Sequence, residues 1–169
     1  MMPPGAGAVE TRYGSLRTRP ENDSDAAFLR ALHDSVKGAE FAWLPAGDPV
    51  RRQLLEMQFR AMTMSYRAGF PAACFEVFTL NETPIGRLIT DRNAGRLSIV
   101  YVALLPEWRN KGIGTLLMTS VLNEARRRHE PCEATVALDN PISQRLWSRL
   151  GFIERRRNLT DIVLEWRPG

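Results

Sequence analysis

At Cys74 the spacing of the apolar residues changes from helical to strand-like, which restricts this chain to folds that join a helical layer to a sheet. Upstream, Ala27, Phe28, Leu29, Leu32 and Val36 recur at helical spacing, and Leu54, Leu55, Phe59, Met62 and Tyr66 do so again. A short strand is predicted around Ser15 to Arg19. Asn22-Asp23-Ser24-Asp25 then offers N-cap residues to the first helix. A loop with proline and glycine, Leu44 to Val50, separates it from a second helix predicted from about Arg51 to Ala68. Downstream, Cys74 to Leu80, Ile85 to Thr90 and Leu97 to Leu104 are β-rich runs separated by the turn signals Asn81 to Pro84 and Asp91 to Gly95. Pro106 ends the third run, since proline cannot donate to a ladder. A helix from near Gly112 to about His129 follows, then a strand from Glu133 to Leu138. A short helix from Pro141 to Leu150 has proline in its first turn, and Phe152 to Trp166 reads as a final pair of strands. The order describes an α+β fold with a mixed sheet. Residues 14–169 are read as a single domain, and residues 1–13, rich in glycine and proline, as a loose tail.

Composition narrows the function classes. A chain of 169 residues that is 44% apolar and 25% charged has the proportions of a folded domain, not of a disordered or disulfide-stapled one. The longest nearly apolar stretch, Leu97 to Pro106, is far short of the roughly 20 residues of a membrane span. The first eight residues lack a basic region and an apolar core, so they do not read as a signal peptide. A cytoplasmic protein with no membrane partner is therefore expected. Cys74 and Cys132 have no second ligand at metal-binding spacing, so they are expected to be reduced thiols, with no metal site. The net charge of +4 is mild, but the cations comprise 21 arginines and only two lysines. Arginine suits planar recognition of phosphate. The runs Arg126-Arg127-Arg128 and Arg155-Arg156-Arg157 lack interleaved aromatics and any nucleic-acid-reading motif, so no nucleic acid is expected.

Chemistry concentrates in the segment from Val102 to Leu117: a buried strand, a tight loop with Gly112 and Gly114, and the start of an amphipathic helix. Main-chain amides of such a loop and of the first helical turn point at one small volume and bind anions there. Glycines let a phosphate approach the backbone closely, and Arg109 and Lys111 add positive charge. A pyrophosphate suits this geometry. Neither G-x-x-x-x-G-K-[ST] nor G-x-G-x-x-G is present, because Leu117 stands where the third glycine of the latter would fall.

The order strand, proline, Arg109-x-x-Gly112-x-Gly114, amphipathic helix resembles the coenzyme A loop of the GNAT superfamily of acyl-CoA-dependent N-acyltransferases. A second block, Asn140-Pro141-Ile142-Ser143-Gln144-Arg145-Leu146-Trp147-Ser148-Arg149-Leu150-Gly151-Phe152, is similar to the family's N-x-x-A-x-x-L-Y-x-x-x-G-F. The resemblance implies a single acyltransferase domain whose mixed central sheet has a splayed strand and helices on both faces. It implies acetyl-CoA as acyl donor and an amine acceptor, without a metal, and it allows a homodimer. Backbone groups of Val102, Ala103 and Leu104 would pair with the pantetheine arm, and the Val102 amide would stabilise the oxyanion. Arg109, Asn110, Lys111, Gly112, Ile113, Gly114 and Thr115 would hold the pyrophosphate. Asn140, Ser143 and Trp147 would flank the arm and thiol, although Asn140 also reads simply as the N-cap before Pro141. The arginine runs would be a solvated face or a contact for the 3′-phosphate of the coenzyme.

Two positions depart from the family pattern. Trp147 stands where a tyrosine often protonates the departing thiolate, and an indole N–H is no practical acid. The strand Leu97 to Leu104 holds no carboxylate to act as base; Tyr101 is its only ionisable residue. Tyr101 is thus the second catalytic candidate beside Val102, although an aromatic there more often packs. Glu76, Glu40 and Glu56 are the substitute bases. Trp43, Phe59, Tyr66 and Phe70 are candidates for an acceptor pocket or for core, and His33 and His129 for the surface or for helix ends. A coenzyme-binding regulatory or catalytically inert domain is the alternative function.

Overall fold

The computed structural model describes residues 8–169. It is an α+β fold with four α-helices and a mixed sheet. Eight strands are hydrogen-bonded in the order β1 (Val9–Thr11), β2 (Gly14–Pro20), β3 (Cys74–Leu80), β4 (Thr83–Asn93), β5 (Arg96–Leu104), β6 (Cys132–Ala137), β8 (Asp161–Trp166), β7 (Ile153–Arg157). The chain forms two compact units: one runs to Leu88 and takes in Val102–Glu107, and the other comprises Ile89–Tyr101 and Trp108–Gly169.

In the first unit, α1 (Ala26–Lys37) follows a 3₁₀ turn capped by Asn22, whose side chain accepts from the Ser24 amide while Asp25 accepts from the Asn22 amide. This reciprocal cap is what the Asn-Asp-Ser-Asp cluster encodes. The second helix, α2 (Pro49–Gly69), starts two residues earlier than the apolar pattern suggested, because Asp48 caps it and Pro49 fits its first turn. Strands β3 and β4 are joined at Asn81 and Glu82, both at positive φ, the conformation of a tight hairpin. Leu16, Leu29, Leu32, Leu55, Val77, Phe78, Ile85 and Leu88 form the core. Arg87 and Glu21 are buried together as a two-point ion pair at 2.9 and 3.1 Å, which Arg67 also joins. Arg67 and Arg87 both lie over the Phe75 ring.

The expected tail is corrected here. Residues 1–7 lie outside the described residues, but Val9–Thr11 pair antiparallel with β2, Val9 opposite Leu16. The turn between them is held locally: the Thr11 hydroxyl donates to the Gly14 carbonyl at 2.8 Å and accepts from the Tyr13 amide at 3.0 Å. That short-range bonding leaves no apolar periodicity for a sequence reading to detect.

In the second unit, α3 (Ile113–Arg127) links β5 to β6, and the two strands are parallel with Leu97 opposite Cys132. Leu117, Met118, Val121, Leu122 and Ala125 bury its inner face. β6 pairs antiparallel with β8, and β8 with β7, where the register shifts between Glu154 and Arg156. Burial pushes the Cys132 thiol up to about 12, which keeps it protonated and unreactive. Among the described residues, no helix is long and apolar enough to cross a membrane, and no group of three His, Cys, Asp or Glu side chains could hold a metal ion.

The arginine runs are drawn into this unit's own bonding. Arg126 donates to Asn123 and lies over Trp166, Arg128 pairs with Glu124, and Arg157 pairs with Glu154. Glu165 gathers Arg167, Arg155 and Arg96. Hydrogen bonds from Arg167 and Arg155, opposed by desolvation, hold its carboxyl down to about 2, against an ordinary value of 4.5. A carboxylate with a depressed folded-state pKa stabilises the fold above its unfolded value, and that contribution is lost as pH falls through the folded value. Thermal unfolding followed by circular dichroism should therefore show a stability loss between about pH 4.5 and 2. Glu165→Gln should lower Tm at neutral pH and flatten that acid slope.

Candidate active site

β5 ends at Leu104, and a 3₁₀ turn, Pro106–Trp108, follows it. The chain then takes left-handed conformations at Asn110 (φ 57°) and Gly112 (φ 78°), turning it sharply into α3. Gly112 is the N-cap residue of α3 and offers no side-chain acceptor, so the first helical bond runs from the Leu116 amide to the Gly112 carbonyl at 3.0 Å. The amides of Ile113, Gly114 and Thr115 are thus the helix's N-terminal donors, at its positive end. A Cβ built on Gly112 would meet nothing within 4 Å, so this face of the loop is open. Arg109 and Lys111 are exposed beside it, with the Lys111 ammonium 4.9 Å from the Trp108 ring centre. The predicted anion loop, Arg109 to Thr115, thus spans the turn into α3 and its first residues, with Gly112 open to solvent.

The second block forms α4 (Pro141–Arg149). Asn140 is its N-cap, accepting from the Ser143 amide at 3.1 Å, and Pro141 occupies the first turn. Gln144 secures the preceding turn by donating to the Ala137 and Leu138 carbonyls, each at 3.0 Å. Trp147 is only 4% exposed and packs edge-on against Phe152 with ring centres 4.9 Å apart. Its indole anchors α4 in the core.

At the end of β5, Tyr101, Val102, Ala103 and Leu104 are half-buried. Here the first unit contains a residue that sequence reasoning missed. A Cβ on Gly86 of β4 would lie 2.5 Å from the Ala103 carbonyl oxygen, 2.6 Å from Leu104 Cδ2 and 3.0 Å from Phe78 Cδ2. The Leu105 amide nevertheless donates to the Ile85 carbonyl at 2.8 Å. In a flat ladder a neighbouring carbonyl lies beside the strand, not over its Cβ position. The Ala103 carbonyl therefore lies over the Cβ side of Gly86, while Leu105 keeps its hydrogen bond to Ile85. A glycine inside a strand pattern was the available signal.

The three substitute bases separate clearly. Hydrogen bonds from Arg60 and Arg30 hold the Glu56 carboxyl below its ordinary range, and Lys37 and Gln58 do the same for Glu40. Both lose basicity by that pairing. Glu76, on β3, is 7% exposed and alternates with Phe78 onto the face where Gly86 meets Leu104.

His33 is not at the surface as expected. It is 6% exposed, its Nε2 is 3.1 Å from Gln58 Oε1, and its ring meets Phe59 edge-on. Gln58 donates to Glu40 through Nε2, which turns its amide oxygen toward His33 and makes His33 Nε2 the protonated nitrogen. Burial lowers its pKa, so it is neutral at pH 7. Trp43, in contrast, is 72% exposed and forms no part of the core.

A family model described as the Acetyltransferase (GNAT) family matches residues 39–152, and this chain belongs to that family of acetyl-CoA-dependent N-acetyltransferases. No curated protein matches the sequence significantly. Among solved structures, the chain is similar to the PaiA N-acetyltransferase from Thermoplasma acidophilum in complex with coenzyme A. Their TM-score is 0.69 at 15% identity, covering 90% of this chain and 99% of that one. It is also similar to Mycobacterium smegmatis RimJ in complex with CoA-disulfide (TM-score 0.67, 17% identity, 95% of this chain and 86% of that one). A third likeness is to a chimera of spermidine N-acetyltransferase SpeG from Vibrio cholerae and hSSAT (TM-score 0.67, 16% identity, 90% and 95%). At these identities the likeness carries the fold alone.

Proposed function

We propose that residues 14–169 act as one domain that transfers the acetyl group of acetyl-CoA directly to a primary amine. The open N-terminus of α3 at Gly112 carries this reading, because it offers backbone donors and no side-chain cap where a pyrophosphate needs them. Arg109 and Lys111 add charge, and the main chain of Val102 to Leu104 takes the pantetheine arm as an added strand.

The chemistry then needs three services. An amine with a pKa near 10 is mostly protonated at pH 7, so a base must take its proton; Glu76 is the carboxylate best suited to this. The neutral nitrogen attacks the thioester carbon, and the Val102 amide stabilises the negative oxygen that forms. The C–S bond then breaks and the sulfur leaves as thiolate, taking a proton as the amide product forms. A thiol pKa of about 8.5 makes that departure tolerable without an acid, which fits a buried Trp147 in place of the usual tyrosine. Tyr101 packs beside this centre or positions the acceptor. Unpaired Cys74 and Cys132 suit a cytoplasmic enzyme.

Trp147 also favours a second reading, a coenzyme-binding domain without turnover. One experiment separates the two. Calorimetric titration with acetyl-CoA should show binding, and a panel of alkyl amines, polyamines, amino acids and peptides should release free thiol with at least one member. No binding at millimolar acetyl-CoA would overturn both readings. Binding without thiol release across the panel would favour the second.

A further inference from the structure

We infer that Gly86 is a positioning residue for the coenzyme: its missing Cβ sets the close approach of β5 that presents the Val102 to Leu104 main chain to the pantetheine arm. The inference rests on the proposed function but concerns a residue outside both family motifs.

The close contact at Gly86 is with backbone. Leu104 Cδ2 and Phe78 Cδ2 are ends of flexible side chains and could turn aside, but the Ala103 carbonyl oxygen at 2.5 Å could not. Any Cβ at this position must push the β5 peptide away, since carbon and oxygen do not approach that closely without a bond. The displacement cannot spread freely. Immediately beyond it, the Leu105 amide is tied to the Ile85 carbonyl, the residue preceding Gly86, at 2.8 Å. The strain therefore falls on the stretch just before Leu105, which contains Val102, Ala103 and Leu104, the residues that would meet the arm. A misplacement of about 1 Å is enough to cost catalysis heavily where geometry is preorganised. The pyrophosphate loop from Arg109 to Thr115 makes none of these contacts, so the two halves of the ligand should respond differently.

The test uses coenzyme A and 3′,5′-ADP, which carries the nucleotide but no arm. Calorimetry on Gly86→Ala should show coenzyme A affinity reduced at least tenfold, with 3′,5′-ADP affinity within twofold of the unsubstituted protein. Turnover with acetyl-CoA should show the donor KM raised more than the acceptor KM. A variant that keeps coenzyme A affinity would overturn the inference while leaving the acetyltransferase reading intact. Loss of both ligands together would also overturn it, because Gly86 would then serve stability alone. The double variant Gly86→Ala/Leu104→Ala removes the side-chain contact and leaves the backbone one, which protects the test against misfolding. It should remain defective toward coenzyme A relative to Leu104→Ala, and recovery would overturn the backbone account.

Discussion

Gly112→Val should lose about a hundredfold or more in acetyl-CoA affinity while remaining folded. Two costs act at this position. At φ 78° the residue lies in the left-handed region, where an L side chain costs roughly 1–2 kcal/mol and a β-branched one clashes most. That penalty falls on the fold, but a domain with about 5–15 kcal/mol of stability survives it. The larger cost falls on the ligand. Nothing lies within 4 Å of a Cβ at Gly112, so the side chain itself meets no clash, and if the phosphates sit against the α3 amides its two methyl groups compete with them for that open space. Hydrogen bonds to a charged group are worth about 1.5–3 kcal/mol each, and displacing the anion from two of them already exceeds a hundredfold at about 1.4 kcal/mol per tenfold. Isothermal titration should register the loss, with the Tm of the unliganded variant lowered by only a few degrees. Gly112→Ala, with one carbon, should lie between. A valine variant that binds acetyl-CoA within threefold of the unsubstituted protein would show that the phosphates sit elsewhere.

The turn at Gly112 was legible in the sequence because its structure is local: a strand, a proline, two glycines and a helix in consecutive order specify it. The same holds for Asn140, whose N-cap role follows from Pro141 beside it, and for the strand Cys74–Leu80, which the structure reproduces residue for residue. What escaped is what depends on contacts between distant residues. Gly86 matters only because Ala103 comes over it from seventeen positions away, and no periodicity records that. His33 was expected at the surface or a helix end because its partners, Gln58 and Phe59, belong to the next helix. The packing of Trp147 on Phe152 likewise depends on a contact that no periodicity records. The pairing of Glu56 with Arg30 also needed the structure, since it joins two helices, whereas Lys37–Glu40 and Arg60–Glu56 are local pairs that the sequence spacing already allowed.

Glu76→Gln should lower kcat by about a hundredfold, within the usual range for loss of a general base, and leave the KM for acetyl-CoA nearly unchanged. Glutamine keeps the shape of a side chain that is 7% exposed but cannot accept the amine's proton. The pH dependence makes the test specific. With the base removed, only amine already neutral in solution can attack, so kcat/KM for the acceptor should rise tenfold per pH unit toward the amine's own pKa, near 10 for an alkyl amine. The unsubstituted enzyme should reach its plateau at lower pH, and the gap between the two profiles should close at high pH, which a merely structural defect would not produce. Tyr101→Phe provides the counter-test. If Tyr101 packs or positions the acceptor, its loss should reduce turnover only modestly and leave the profile's shape intact. An alkaline limb that is present in the unsubstituted enzyme and vanishes in Tyr101→Phe would move proton transfer from Glu76 to this tyrosine on β5.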